Sequence, residues 1–123
     1  MKLTGKCRED FDKWMSTDFD LDENPITINA SYEGDMEVYV SDNFDILPKS
    51  MQYGVYVDFF DSVGIYPLVI PTVNAYWTFK VIKTIPADLI VTPPFKNVDA
   101  SDYSTLLEAR TAAIEKANEI YNK

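Results

Sequence analysis

Histidine is absent from this 123-residue chain, and Cys7 is its only cysteine. Without histidine the commonest general base and the commonest metal ligand are both missing, which excludes an ordinary zinc site and any Ser-His or Cys-His dyad. One thiol forms no intrachain disulfide, so a reducing compartment is expected rather than a secreted, stapled scaffold. Glycine is equally sparse: Gly5, Gly34, Gly54 and Gly64 are too scattered for a phosphate-cradling loop. Nucleotide-dependent catalysis is therefore not expected. Met1–Asp10 lacks the apolar run of a signal peptide, and no window approaches the roughly 20 apolar residues of a membrane span. The expected location is the cytoplasm.

Basic residues are the other scarcity, and it is a local one. From Glu9 to Ser62, fourteen Asp and Glu face only Lys13 and Lys49. The first eight residues are basic, through Lys2, Lys6 and Arg8, whereas Val63–Lys123 carries six charges of each sign. The net charge of −9 is thus concentrated in one stretch. Such a field repels nucleic acid and anionic membrane, which bind through Lys and Arg, and it attracts basic protein surfaces or cations. Solubility alone is the bland explanation.

Hydrophobic residues make up 46% of the chain, and seventeen of its residues are aromatic. That suffices for a single domain spanning residues 1–123, with an acidic half (9–62) and a charge-balanced half (63–123). Cys7, Phe11, Trp14 and Met15 recur at spacings of three and four, which predicts a helix over Lys6–Ser16. Glu9, Asp10 and Asp12 would complement the positive end of its dipole. Lys6 and Arg8 beside Cys7 would lower its pKa somewhat, although a buried thiol is the favoured reading. Thr17–Asn24 reads as a charged loop. Ile26–Ala30 and Met36–Val40 alternate with period two around a Gly-containing connection, a hairpin signal.

Leu47–Val63 supports two periods. As a strand, it would line up Met51, Tyr53, Val55, Val57 and Phe59; as a helix, Tyr53, Tyr56, Val57, Phe60 and Val63. Pro48 before it, Gly64 after it and its length favour the helix. Ile65–Ile70 and Ala75–Thr84 read as strands, the second with Trp77, Phe79 and Val81 toward the core, and Pro67 pushes the first to a sheet edge. Leu89-Ile90-Val91 adds an edge strand within the proline-rich Ile85–Ala100. Thr105–Asn122 begins with a Thr-x-x-Glu capping box and presents a stripe of Leu106, Leu107, Ala109, Ala113, Ile114, Ala117, Ile120 and Tyr121. Glu108, Arg110, Glu115, Lys116 and Glu119 point away, with Glu119 and Lys123 paired four apart. The expected fold class is α+β: a small antiparallel sheet packed by a long middle helix and a C-terminal helix, with a short N-terminal helix.

Few constellations carry chemistry. Asp18-x-Asp20-x-Asp22 resembles the first half of an EF-hand loop, but Glu23 stands where the turn needs glycine and Asn29 where a bidentate glutamate belongs. A solvated acidic loop is the better reading. Asp58 and Asp61, three apart on a helix, could face Asp42 or Asp45 for carboxylate or metal chemistry, and read more simply as exposed helix acids. Lys80, Lys83 and Lys96 among Tyr76, Trp77 and Phe79 suggest stacking on single-stranded nucleic acid, which the surrounding acidity opposes. No enzyme activity, cofactor or metal is expected.

Two blocks, Leu47-Pro48 with Ser50–Ile65 and Glu108–Asn122, resemble small hypothetical proteins of tailed phages and prophages in gut Bacteroidetes. In that group a helix, two strands around an aromatic pair and a closing alanine-rich helix follow in order. The resemblance implies a phage accessory protein acting inside the host cell, and implies no activity. The expected function is docking of the acidic half onto a basic host or phage protein surface, in the manner of a defence inhibitor. Its expected binding residues are Glu33, Asp35, Glu37, Asp42 and Asp45, backed by Asp18, Asp20 and Asp22. The alternative is a structural or self-associating domain without a charge-driven partner.

Overall fold

Helix α1, Gly5–Trp14, buries Cys7 and Phe11 on one side. The computed structural model describes residues 1–19, 25–30, 34–72, 75–84, 90–92 and 103–123, with side chains described for all of these except 18–41 and 90–92. α1 starts at Gly5, so its first turn holds Lys6 and Arg8 and no acid. The expected match between early acids and the helix dipole is therefore not made. Instead Lys6 Nζ reaches Asp10 at 2.8 Å and Arg8 Nε reaches Asp12 at 3.0 Å, each one turn along, the favourable four-residue spacing. A π-helical turn, Met15–Phe19, follows. There the Ser16 and Thr17 hydroxyls donate to the carbonyls of Asp12 and Lys13, the back-bonding by which such residues disturb regular helix.

The hairpin forms as an antiparallel pair, β1 (Pro25–Ala30) and β2 (Gly34–Tyr39), with Ile26 opposite Val38 and Ile28 opposite Met36. It is a two-stranded sheet of its own. One turn of helix, α2 (Val40–Asn43), and a 3-10 turn, Phe44–Ile46, lead to α3, Lys49–Ser62. The expected middle helix is present, with Pro48 as its N-cap and Gly64, at φ 76°, just beyond its end. Its buried face is rotated from the expected one: Gln52, Val55, Tyr56, Phe59 and Phe60 are inside, while Tyr53, Val57 and Val63 are only half-buried. The reason is polar. Gln52 Nε2 donates to the carbonyls of Leu47 at 2.9 Å and Asp45 at 3.4 Å, so a glutamine fills an interior position without unpaired groups.

β3 (Ile65–Pro71), β4 (Trp77–Lys83) and β5 (Ile90–Thr92) form the second antiparallel sheet in that order. The Thr84 amide donates to Gly64 O and the Thr72 amide to Tyr76 O. These two bonds bracket β3 and set its phase, so the even-numbered residues of β3 turn their amide and carbonyl toward β4, and the odd-numbered ones turn theirs to the open edge. Pro67 and Pro71 are both odd, and both lie where no rung to β4 is lost. On the other side of β4, Trp77 and Tyr103 exchange two backbone hydrogen bonds, at 2.8 and 2.7 Å. Val81 is fully buried, and Phe79 packs partly against the core.

The last helix, α4 (Leu106–Asn122), is capped by Thr105, whose hydroxyl accepts the Glu108 amide at 3.1 Å. Only half of the expected capping box forms, because the Glu108 carboxylate accepts the Ser104 hydroxyl instead. Ala109, Ala113, Ile114, Ala117 and Ile120 are buried, and the small alanines let α4 lie against β3, β4, α3 and α1. Two expectations change here. Leu107 falls outside the stripe and is 48% exposed. Arg110 does not leave the surface freely, since its guanidinium sits 4.9 Å over the Tyr53 ring. The chain is thus α+β, as expected, with two small sheets rather than one.

The core joins Leu3, Cys7, Phe11 and Met15 to Val55, Tyr56, Phe59 and Phe60, and these to Ile65, Val81, Ile114, Ala117 and Ile120. Phe59 is its hub: its ring lies 5.4 Å from Phe11, 5.6 Å from Trp14, 5.2 Å from Phe60 and 5.7 Å from Tyr121. These are the tilted and edge-on separations that aromatic pairs favour. The two ends of the chain meet beside this core. The Thr4 amide donates to Asn118 Oδ1, and Asn118 Nδ2 donates back to the Thr4 hydroxyl, both at 2.9 Å. No helix among the described residues is long and apolar enough to cross a membrane.

Candidate functional site

Phe11 on α1, Met15 at the start of the π-helical turn, Phe44 in the 3-10 turn and Tyr56 on α3 form the floor of a cleft of about 620 Å³. Apolar spacing puts each of them there. The rings pack on one another, Phe11 to Phe44 at 5.5 Å and Tyr56 to each of them at 5.1 Å. Burial pushes the Tyr56 phenol up to about 12, and its hydroxyl donates to the Met1 carbonyl at 3.4 Å. It is a neutral donor at every ordinary pH.

The rim is polar and carries both signs: Lys2, Arg8, Asp12, Asp45 and Lys49. Arg8 uses its Nε on both Asp12 oxygens, at 3.1 and 3.0 Å. That contact, with lesser help from Asp45, raises the guanidinium further above its ordinary value. Lys49 Nζ has one long contact, 3.5 Å to Gln52 Oε1. Lys2 and Lys49 take part in none of the ion pairs among the described residues.

The expected docking residues are placed unevenly. Glu33 lies outside the described residues, as do Asp20 and Asp22, and Asp18 is described only as backbone in the π-helical turn. Asp35 and Glu37 occupy alternate positions of β2, opposite Asn29 and Thr27. Asp42 and Asp45 are exposed, in α2 and the 3-10 turn, and of these two described side chains Asp45 lines the cleft. Within α1 the field of the acidic stretch is partly spent, since Asp10 and Asp12 are held by Lys6 and Arg8. Asp10 also accepts the Tyr121 hydroxyl at 2.6 Å. Lys6, then Tyr121, holds the Asp10 carboxyl below the usual carboxylate range.

Asp58 and Asp61 are exposed on the last turns of α3. Partial burial, then the neighbouring Asp58 charge, raises the Asp61 carboxyl. Asp45 sits at the other end of that helix beside Gln52, and nine residues of helix separate Gln52 from Asp61 by about 13 Å. The conjectured meeting of Asp61 with Asp45 therefore does not occur. Among the described residues, no group of three or more His, Cys, Asp or Glu is placed to hold a metal ion. Cys7 is fully buried, and burial pushes its thiol up to about 12, so the lowering expected from Lys6 and Arg8 is overridden.

Sequence reasoning missed the cleft itself. Lys2, Arg8, Lys49 and Gln52 form no local motif, and only folding brings the N-terminal segment against the start of α3. The available signal was Lys49, one of just two cations in the acidic stretch. No protein-family model matches the chain, and neither a curated protein nor a solved structure matches it.

Proposed function

We propose that the chain is a non-enzymatic, phage-type accessory protein of the host cytoplasm that docks through acidic side chains onto a basic protein surface, as a defence inhibitor would. One observation carries the reading. Asp42, Asp45, Asp58 and Asp61 are exposed and enter none of the ion pairs among the described residues, whereas Asp10 and Asp12 are already paired. Carboxylates left unpaired on a molecule of charge −9 steer association with a positive surface.

The test is affinity capture from host lysate with the immobilised protein at low and at high salt, alongside a D42K/D45K variant. Partners that are basic, that dissociate as salt rises, and that the variant fails to hold are expected. An unchanged partner list, or none, overturns the proposal.

A second reading, self-association without a charge-driven partner, draws support from Tyr66, Leu68 and Tyr76, which are 37%, 39% and 45% exposed. Light scattering separates the two, because a dimer held by such residues persists in high salt.

A further inference from the structure

The cleft over Phe11, Phe44 and Tyr56 has the wrong charge for the acidic docking role. On a chain of net −9, its rim sets three cations, Lys2, Arg8 and Lys49, against two carboxylates, Asp12 and Asp45. Donors there are also in surplus. With Nε committed to Asp12, the Arg8 guanidinium keeps its two terminal nitrogens, a planar pair suited to a two-oxygen anion. The long contact of Lys49 leaves most of its donor capacity unspent, whereas the single hydroxyl proton of Tyr56 is already given to the Met1 carbonyl. Below these groups lies an aromatic floor, and about 620 Å³ is within the size range of small-molecule pockets.

We propose that this cleft binds a small monocarboxylate with an aromatic body. The ring lies against Phe44, the half-buried ring of the floor, over the buried Phe11 and Tyr56, and the carboxylate is held by the free edge of Arg8 together with Lys49. A single negative charge matches the side-chain surplus of one cation. A phosphate ester, with a charge of roughly −1.5 to −2 near neutral pH, exceeds that surplus and meets Asp12 and Asp45 at close range. The site shares Asp45 with the acidic docking surface but takes its anion on Arg8 and Lys49, so either can fail alone.

The test is isothermal titration of the full chain with 3-phenylpropionate, with 3-phenylpropionamide as the neutral isostere and phenyl phosphate as the dianionic one. Saturable binding of the carboxylate is expected, weaker by about tenfold or more for the amide, as loss of a charged hydrogen bond requires. R8Q and K49Q should each weaken the carboxylate by a similar factor. K49Q removes a cation in no ion pair and so keeps the fold, which far-ultraviolet circular dichroism checks. Equal binding of carboxylate and amide, tighter binding of phenyl phosphate, unchanged affinity in K49Q, or no saturable heat with the carboxylate would each overturn the proposal.

Discussion

The Cys7 amide donates to Asn122 Oδ1 at 2.9 Å although 115 residues separate them. The first helix is thus capped by the last, and Thr4, its own N-cap residue, makes no side-chain cap. Asn122 Nδ2 also donates to the Thr4 carbonyl at 2.9 Å. Asn122→Ala removes both bonds and should destabilise the protein by about 1 kcal/mol in urea unfolding, the usual value of a cap. Gly5 should tolerate even less. It sits at φ 59°, and an added Cβ would lie 3.2 Å from Asn122 Oδ1, so Gly5→Ala should cost at least about 1–2 kcal/mol.

Stability should fall at both ends of the pH scale, for separate reasons. Asp10 is held below its ordinary 3.8 by Lys6 and Tyr121, so the folded state binds its proton more weakly than the unfolded chain does. Its contribution is whole above that value and is lost as pH drops through the depressed one. On the alkaline side Tyr56 and Tyr121 rise from 10.0, and Cys7 from 9.0, to about 12, burial being the first cause in each. There the folded state keeps its protons more tightly. The contribution is whole below pH 9 and is lost as pH rises to about 12. Tyr121→Phe removes one of the phenols that titrate late and one support of Asp10. Its acid-unfolding midpoint should move to higher pH, read by circular dichroism against the parent.

Phe59 touches four other rings and is 1% exposed, so Phe59→Ala should cost about 3–5 kcal/mol. Phe59→Leu, which retains most of the volume, should cost less. Denaturant midpoints at constant slope provide the comparison.

Gly54 offers the opposite case. It lies inside α3, exposed, and an added Cβ would meet no heavy atom within 4 Å. Gly54→Ala should therefore raise stability by about 0.5–1 kcal/mol, the helix-propensity difference. A loss on the same urea measurement would mean that the glycine serves something other than the helix.

Local signals are readable in the sequence where one element decides its own form. Thr105 and Glu108 announce the start of α4, and Pro48 with Gly64 resolves α3 as a helix against its β-rich composition. Its inward face is misplaced by hydropathy, which ranks glutamine as surface, because Gln52 owes its burial to carbonyls upstream of the helix. Asp10 likewise reads as a dipole complement until folding gives it Lys6 and Tyr121. The cleft is illegible for the same kind of reason: Arg8, Asp45 and Lys49 come to line one cleft only when α1 packs its Phe11 and Trp14 against Tyr56 and Phe59 of α3.

Pro67 and Pro71 carry one more implication. With both imide nitrogens turned outward, the margin of β3 that is unpaired among the described residues offers its amides only at Ile65 and Val69, and a visiting strand finds half of the amide donors missing. Growth of this sheet by adding chains end over end is thereby discouraged, even at high concentration. A visitor on that flank meets mostly acceptors, so its recognition leans on side chains more than a complete strand edge would require.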